Sequence, residues 1–368
     1  ALDLDFLAYG RGAGISNVVF WAGVAFLLAG WVVLGRRHVL RGRPGVEKHV
    51  RKSLWVWILP LLPAAPMLSR DVYSYLMQGA MLRDGYDPYT QGAAVNPGPY
   101  LLEVSHDWRN TTTPYGPLHL WIGEGVTRLV GDNVTAGVIV YKLISVLGFA
   151  AIAWAVPRIA RALGGDPALA LWLGVANPVM ILHMVGGMHN ESVMVGLVSV
   201  GLLACLHKRF LLGVALIAVA VSLKATAAIA LPFVVWMATH HYSRHMHRFL
   251  AFVVTGFVGL VETLAVVAAV TWLSGSSWGW LSEISGNSKV INPLALPSLL
   301  ASGITWVVQV VDTGFEYNTA LGVLRSISMV LMLAGLVVVW WMFRHTTRRA
   351  LAGTALAYQV AFVFNSVT

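Results

Sequence analysis

FLAFVVTGFVGLVETLAVVAAVTWL, Phe249–Leu273, contains a single charged residue, Glu262. Crossing the hydrocarbon core of a bilayer takes about 20 predominantly apolar residues in a helix, and this run supplies them. Similar runs lie at Ser16–Leu34, Ser53–Leu68, Asn133–Ile159, Ala168–Val185, Ser192–Leu206, Phe210–Leu223, Ala225–Thr239, Thr319–Phe343 and from Leu351 onward. Composition agrees with them. Of the 368 residues 57% are hydrophobic and 11% charged, where a soluble domain carries about a quarter charged. Mean hydropathy is +0.71. The expected fold class is therefore an all-α polytopic membrane protein, read as a single transmembrane domain over 1–368. The chain starts without Met and stops inside the apolar run Ala350–Val367, so a partial protein is expected.

A net charge of +9 would suggest nucleic acid as the partner of a soluble protein. Here the basic residues fill short loops between apolar runs, so the bilayer is the expected partner and nucleic acid is not. Arg36, Arg37, Arg41, Arg43, Lys48, Arg51 and Lys52 occupy the first loop. Arg158 and Arg161, Lys208 and Arg209, Arg244 and Arg248, and Arg344, Arg348 and Arg349 occupy later ones. With alternating helices all of them share one side, which the positive-inside rule makes cytoplasmic. That arrangement requires the apolar stretch Leu294–Val311, with Pro293 and Pro297, to be re-entrant or surface-lying. The single Cys205 lies within an apolar run and excludes a disulfide framework or a cysteine metal site.

The opposite side carries the longest connection, Ser69–Asp132, and a second outer segment, 274–318, with Trp278, Trp280, Glu283 and Lys289. The first is long enough to be functional or disordered, and its aromatic content argues against disorder. It opens with SRDVYSYLMQGAMLRDGYDPY, Ser69–Tyr89. Ser69 as N-cap would start a helix with Asp71, Tyr75 and Gln78 on one face. Asp71 then sits at the membrane surface, either as a working carboxylate or as a first-turn acid favoured by the helix dipole. Asp87-Pro88-Tyr89 forms a turn by its own chemistry. Among cations outside the basic loops (Arg11, Arg70, Arg83, Arg109, Arg128, Lys142, Lys224, Lys289 and Arg325), Lys224 and Arg325 lie near the outer ends of apolar runs. An ionisable group there is a functional suspect, with snorkelling as the plain alternative. Lys142 and Glu262 lie deeper and are expected to find partners inside the bundle. His189, Asn190 and Glu191 follow two glycines in an outer turn and could meet sugar hydroxyls or simply cap it. With His183 they offer metal-binding atom types, but the spacing matches no standard motif, so no metal or other cofactor is expected.

The order of these motifs, followed by NTTTPYGPLHLW (Asn110–Trp121) and GGMHNES (Gly186–Ser192), resembles the polyprenol-phosphomannose-dependent α-(1→6)-mannopyranosyltransferases of actinobacterial envelopes. The resemblance runs from about Trp55 to Lys224. It implies a GT-C-type helix bundle in the cell membrane, with its active site in the 69–132 loop facing the exterior. It implies a polyprenyl-phosphate mannose donor and a lipid-anchored mannan acceptor of the lipomannan or lipoarabinomannan type. Asp71 matches the family's general base. Arg70, Tyr75, Gln78, Asp87, Tyr89, Tyr115, His189, Asn190 and Glu191 become candidates for substrate binding, and Lys224 and Arg325 for the donor phosphate. Arg70-Asp71 replaces the adjacent acid pair of many GT-C relatives, which removes one pair of metal-binding carboxylates. One base suffices for inverting transfer from a good leaving group. A related transferase of another sugar such as arabinose, or a lipid or solute transporter, are the competing readings. A transporter would call for an internal repeat with helices broken at the midplane, and no repeat is evident.

Overall fold

The computed structural model describes residues 10–286 and 292–365; Lys289 lies outside the described residues. Every regular element among them is helical, and the chain is an all-α polytopic membrane protein. Gly10–Val39, Val134–Ala162, Arg248–Ser274 and Tyr317–Met342 are each long and apolar enough to cross a membrane. Glu191–Leu206, Phe210–Leu223 and Leu296–Val308 are apolar but shorter. The last has 13 residues, about 20 Å of helix against a hydrocarbon core of about 30 Å. The chain divides into two compact units, one of residues 1–73 and 134–199, the other of 74–133 and 200–368.

In the first unit the Gly10–Leu34 and Val46–Ile58 helices share a core with Val134–Ala162 and Pro167–Gly174. Val50, Leu54 and Ile58 recur every four residues and are buried. Trp31 and Trp172 stack with ring centroids 4.6 Å apart. Each indole N–H donates to the other residue's carbonyl, at 3.0 and 2.9 Å, so two large apolar rings are buried with their polar atoms satisfied. The run expected as a span over Ser53–Leu68 instead begins at Val46 and leaves the helix after a 3₁₀ turn, Leu59–Leu61. Pro60, Pro63 and Pro66 remove the backbone donors a continuing helix would use. Likewise Ala168–Val185 is two pieces, Pro167–Gly174 and Pro178–Gly186, bent by 55°. Asn177 precedes Pro178 and is extended (φ −74, ψ 149), and its side chain caps the second piece by accepting from the Met180 N–H. The residue before proline is pushed out of the helical region, which explains the break.

In the second unit glycines bring helices together backbone to backbone. A Cβ on Gly79 would lie 2.1 Å from the carbonyl carbon of Gly123, so the Asp71–Arg83 and Pro117–Val130 helices cross where neither has a side chain. The Gly116 N–H donates to the Leu223 carbonyl at 3.0 Å, seating the start of Pro117–Val130 on the end of Phe210–Leu223. Phe257, Leu260, Leu264 and Trp272 on Arg248–Ser274 remain exposed, the surface a lipid-facing helix presents. The 69–132 connection is ordered by polar ties. Arg83 bridges Asp84 and Asp132 at 2.7 and 2.9 Å, and the Tyr100 hydroxyl donates to the Gly131 carbonyl at 2.6 Å.

Candidate active site

The Asp71–Arg83 helix starts where the residue pattern predicts. Leu68 takes a left-handed conformation (φ 62), the chain turns, and the Ser69 hydroxyl accepts from the Asp71 N–H at 3.1 Å. Asp71 thus stands in the first turn, where the helix dipole favours its ionised form, with its side chain 36% exposed. Its Oδ2 lies 3.2 Å from His189 Nδ1, and Glu191 Oε2 lies 4.0 Å from the same nitrogen. The His183 ring stacks on that of His189, with centroids 3.9 Å apart. One ligating atom from each of His183, His189 and Glu191 lies within 4.8 Å of the others. Arg70, at the mouth of this turn, rests over the Tyr73 ring at 5.5 Å.

The fold of the 183–191 segment explains this convergence. After Pro178–Met180 the helix widens into a π turn, Ile181–Gly186. The buried Lys142 ammonium donates to the Val185 and Gly186 carbonyls at 3.0 and 3.4 Å, partners within the unit of the kind expected for it. Gly187 allows the close fold-back, since a Cβ there would lie 2.7 Å from His189 Cδ2 and 2.9 Å from the His183 carbonyl. Met188 adopts φ 55, a conformation that costs a non-glycine residue about 1–3 kcal/mol and gathers at functional sites. Asn190 is buried and opens the Glu191–Leu206 helix, its carbonyl accepting from Val193 and Met194. At the base of the turn a Cβ on Gly148 would lie 2.6 Å from the Ser192 carbonyl carbon.

In the second unit a polar knot forms around Gln78. Its Oε1 accepts from the Thr113 hydroxyl at 3.0 Å and lies 3.0 Å from His119 Nε2. Tyr75 packs edge-on against both Tyr115 and His119, and Lys224 Nζ lies 5.5 Å from the centre of the Tyr115 ring. Tyr75, Gln78, Tyr115 and Lys224 are therefore neighbours. Arg325 is half-buried on the Tyr317–Met342 helix, away from its ends. Both carboxylate oxygens of Asp87 are engaged, one by the Tyr89 N–H at 2.9 Å and the other by the Ser277 hydroxyl at 2.8 Å. Tyr89 is buried under Gly279, and burial, helped by the Asp87 charge, pushes its phenol pKa up. The Asp87 turn thereby clasps the segment that follows Ser274, as does the Thr112 hydroxyl donating to Glu283.

His119 and Thr113 are members of the site that residue types and spacing do not single out, although both lie inside the NTTTPYGPLHLW motif. The one signal for His119 is its position in the first turns of a helix opened by Gly116-Pro117, one segment away from Gln78. For His183 the spacing to His189 misleads, because a regular helix would carry the two rings apart and the π turn closes them.

The chain matches a family model described as "Alpha-(1->6)-mannopyranosyltransferase, N-terminal domain" over residues 2–240. It is 62% identical to an alpha-(1->6)-mannopyranosyltransferase A of Corynebacterium glutamicum, over 100% of this chain and 79% of the relative. It is 38% identical to a protein of the same name from Mycobacterium tuberculosis, over 99% of this chain and 70% of the relative. An alpha-(1->6)-mannopyranosyltransferase B of Corynebacterium glutamicum is 31% identical over 75% of this chain and 50% of its own length. No solved structure matches. With a family model matched over more than half its length and a relative of this identity along all of it, the chain belongs to the alpha-(1->6)-mannopyranosyltransferase family.

Proposed function

We propose that this chain transfers mannose from a polyprenyl phosphate to an α-(1→6)-mannan acceptor of the lipomannan or lipoarabinomannan type, on the outer face of the cell membrane, by a single inverting displacement. Family membership supports mannosyl transfer. The observation that supports the mechanism is the partly exposed Asp71 in the first turn of its helix, with His189 at 3.2 Å. An Nδ1–H of His189 donating to Asp71 Oδ2 fixes the carboxylate plane and presents Oδ1 to an acceptor hydroxyl. That hydroxyl oxygen attacks the sugar C1, its proton passes to Asp71, and the C1–O bond breaks with the electron pair remaining on the phosphate oxygen. Polyprenyl phosphate needs no acid to leave, so one carboxylate is enough.

In this reading Arg70, Tyr75, Gln78, Tyr115, His189, Asn190 and Glu191 contact substrate, while Lys224 and Arg325 stabilise the developing phosphate charge. Asp87 and Tyr89 serve the binding surface indirectly, by holding the outer segments together. The exterior placement is supported by the basic loops, all on one side if the helices alternate. The test is transfer of radiolabelled mannose from polyprenyl phosphomannose to a short α-mannoside. Asp71→Asn keeps the shape and removes the base, so transfer should fall at least about 10²-fold with the protein still inserted in the membrane. Near-normal transfer by Asp71→Asn, together with its loss in Glu191→Gln, would move the base to Glu191.

A further inference from the structure

We propose that His183, His189 and Glu191 bind a divalent transition-metal ion of the zinc class, with Asp71 as the outer carboxylate that orients His189. The donor set is two imidazoles and one carboxylate, the set that leaves a fourth position open on zinc. Their ligating atoms lie within 4.8 Å of one another. Tetrahedral zinc with bonds of about 2.0–2.2 Å brings ligand atoms to about 3.4 Å apart, so binding closes the cluster by little more than 1 Å. His183 is exposed and stacked on His189 at an interplanar angle of 14°, so binding turns its ring out of the stack, which its exposure allows. Asp71 approaches His189 Nδ1 at 3.2 Å, and a carboxylate beside a metal-site histidine fixes its tautomer and ring orientation.

The backbone is built to hold these groups together. Lys142 grips the Val185 and Gly186 carbonyls, Gly187 leaves no room for a side chain, and Met188 is kept at positive φ. Zinc and its neighbours suit imidazole, whereas magnesium and calcium prefer all-oxygen sites. The open position suits a phosphate oxygen. That role, unlike the binding itself, rests on the transfer reaction proposed above.

The test uses the purified protein in lipid nanodiscs, stripped with a chelator, loaded separately with Zn²⁺, Co²⁺ or Mg²⁺ and dialysed. Elemental analysis should find one zinc or cobalt per chain and no retained magnesium, with the intense visible bands of four-coordinate cobalt. His183→Ala and Glu191→Gln should each weaken retention at least about tenfold, and Asp71→Asn by about 10–100-fold, as for an outer-shell partner. His106→Ala, at an exposed histidine elsewhere, should leave it unchanged. His183→Ala changes an exposed side chain, and a monodisperse profile on size exclusion keeps its result readable. Equal retention in wild type and His183→Ala means an adventitious ion only and overturns the inference. Full transfer by chelated protein overturns the phosphate role while leaving the proposed reaction standing. A metal-loaded wild type that transfers nothing counts against the reaction instead.

Discussion

Lys224 and Asp84 show how differently two charged residues can be used on one chain. Lys224 stands where the Phe210–Leu223 helix ends, its backbone extended (φ −151, ψ 124) and its ammonium against the Tyr115 ring. Lys224→Ala should raise the apparent KM for polyprenyl phosphomannose and slow transfer, with a thermal unfolding profile close to wild type. If KM and rate are both unchanged, the phosphate assignment fails for this residue. Asp84 serves the fold. The hydrogen bond from Arg83 is the chief cause that holds its carboxyl below the ordinary value, with Asn96 adding to it against burial. Because the folded-state pKa is depressed, its stabilisation is present above the unfolded value of about 3.9 and is lost as pH falls through the folded one. The pair is partly exposed, so Asp84→Asn should cost under about 1 kcal/mol. That cost should vanish in unfolding measurements carried out at acidic pH.

Among the elements, those that hold the candidate site are the ones hydropathy describes least well. Phe249–Leu273 and Thr319–Phe343 become helices within one or two residues of the expected bounds, because a bilayer leaves the backbone no other way to satisfy itself, whereas Ser16–Leu34 starts earlier, at Gly10, and Ala225–Thr239 divides into a 3₁₀ turn and the Leu231–Tyr242 helix. Ser69 accepts from the first N–H of the helix, at Asp71, from one residue ahead of the N-cap position expected for it. Hydropathy is blind to the breaks, since Pro60, Pro63, Pro66 and Pro178 sit in stretches as apolar as their neighbours. The π turn at Ile181–Gly186 has no signature in residue spacing, so the sequence hints at the approach of His183 to His189 without fixing it. The partner of Gln78 is equally hidden, because Thr113 and His119 reach it through a crossing of glycines distant in sequence. That crossing is open to test. Gly79→Val would drive two methyl groups and a Cβ into the Gly123 backbone, and overpacking costs about 1–3 kcal/mol or more where the obstacle is main chain. Melting should fall accordingly, while Gly125→Ala, with nothing within 4 Å, should be neutral. At the bend, Asn177→Ala removes the cap on Met180 and should cost about 1 kcal/mol.

At the scale of the whole molecule, the orientation inferred from the basic loops makes a prediction that chemistry can read from either side of a membrane. The natural Cys205 is buried and gives a low background. A cysteine placed at exposed Asp107 in the outer loop should react with a membrane-impermeant maleimide in intact cells. One placed at Lys208 should react only after the membrane is opened. Labelling of both from outside, or of Lys208→Cys alone, would reverse or break the orientation.

The broken helix at Pro167–Gly186 also bears on how the protein is made. Its 55° bend interrupts the helical ladder, and two of its carbonyls, at Val185 and Gly186, are met by a lysine on a helix synthesised earlier. A half-helix of this kind cannot enter lipid by itself, because unsatisfied peptide groups there cost several kcal/mol each. It has to be received by Val134–Ala162, already in place at its side. Biogenesis therefore has an order written into it. With Lys142→Leu the receiving helix would insert more readily than before, and the segment after it would be left waiting at the translocon. The expected outcome is rapid proteolysis during synthesis, seen as a short pulse-chase half-life for a chain whose average hydropathy has risen.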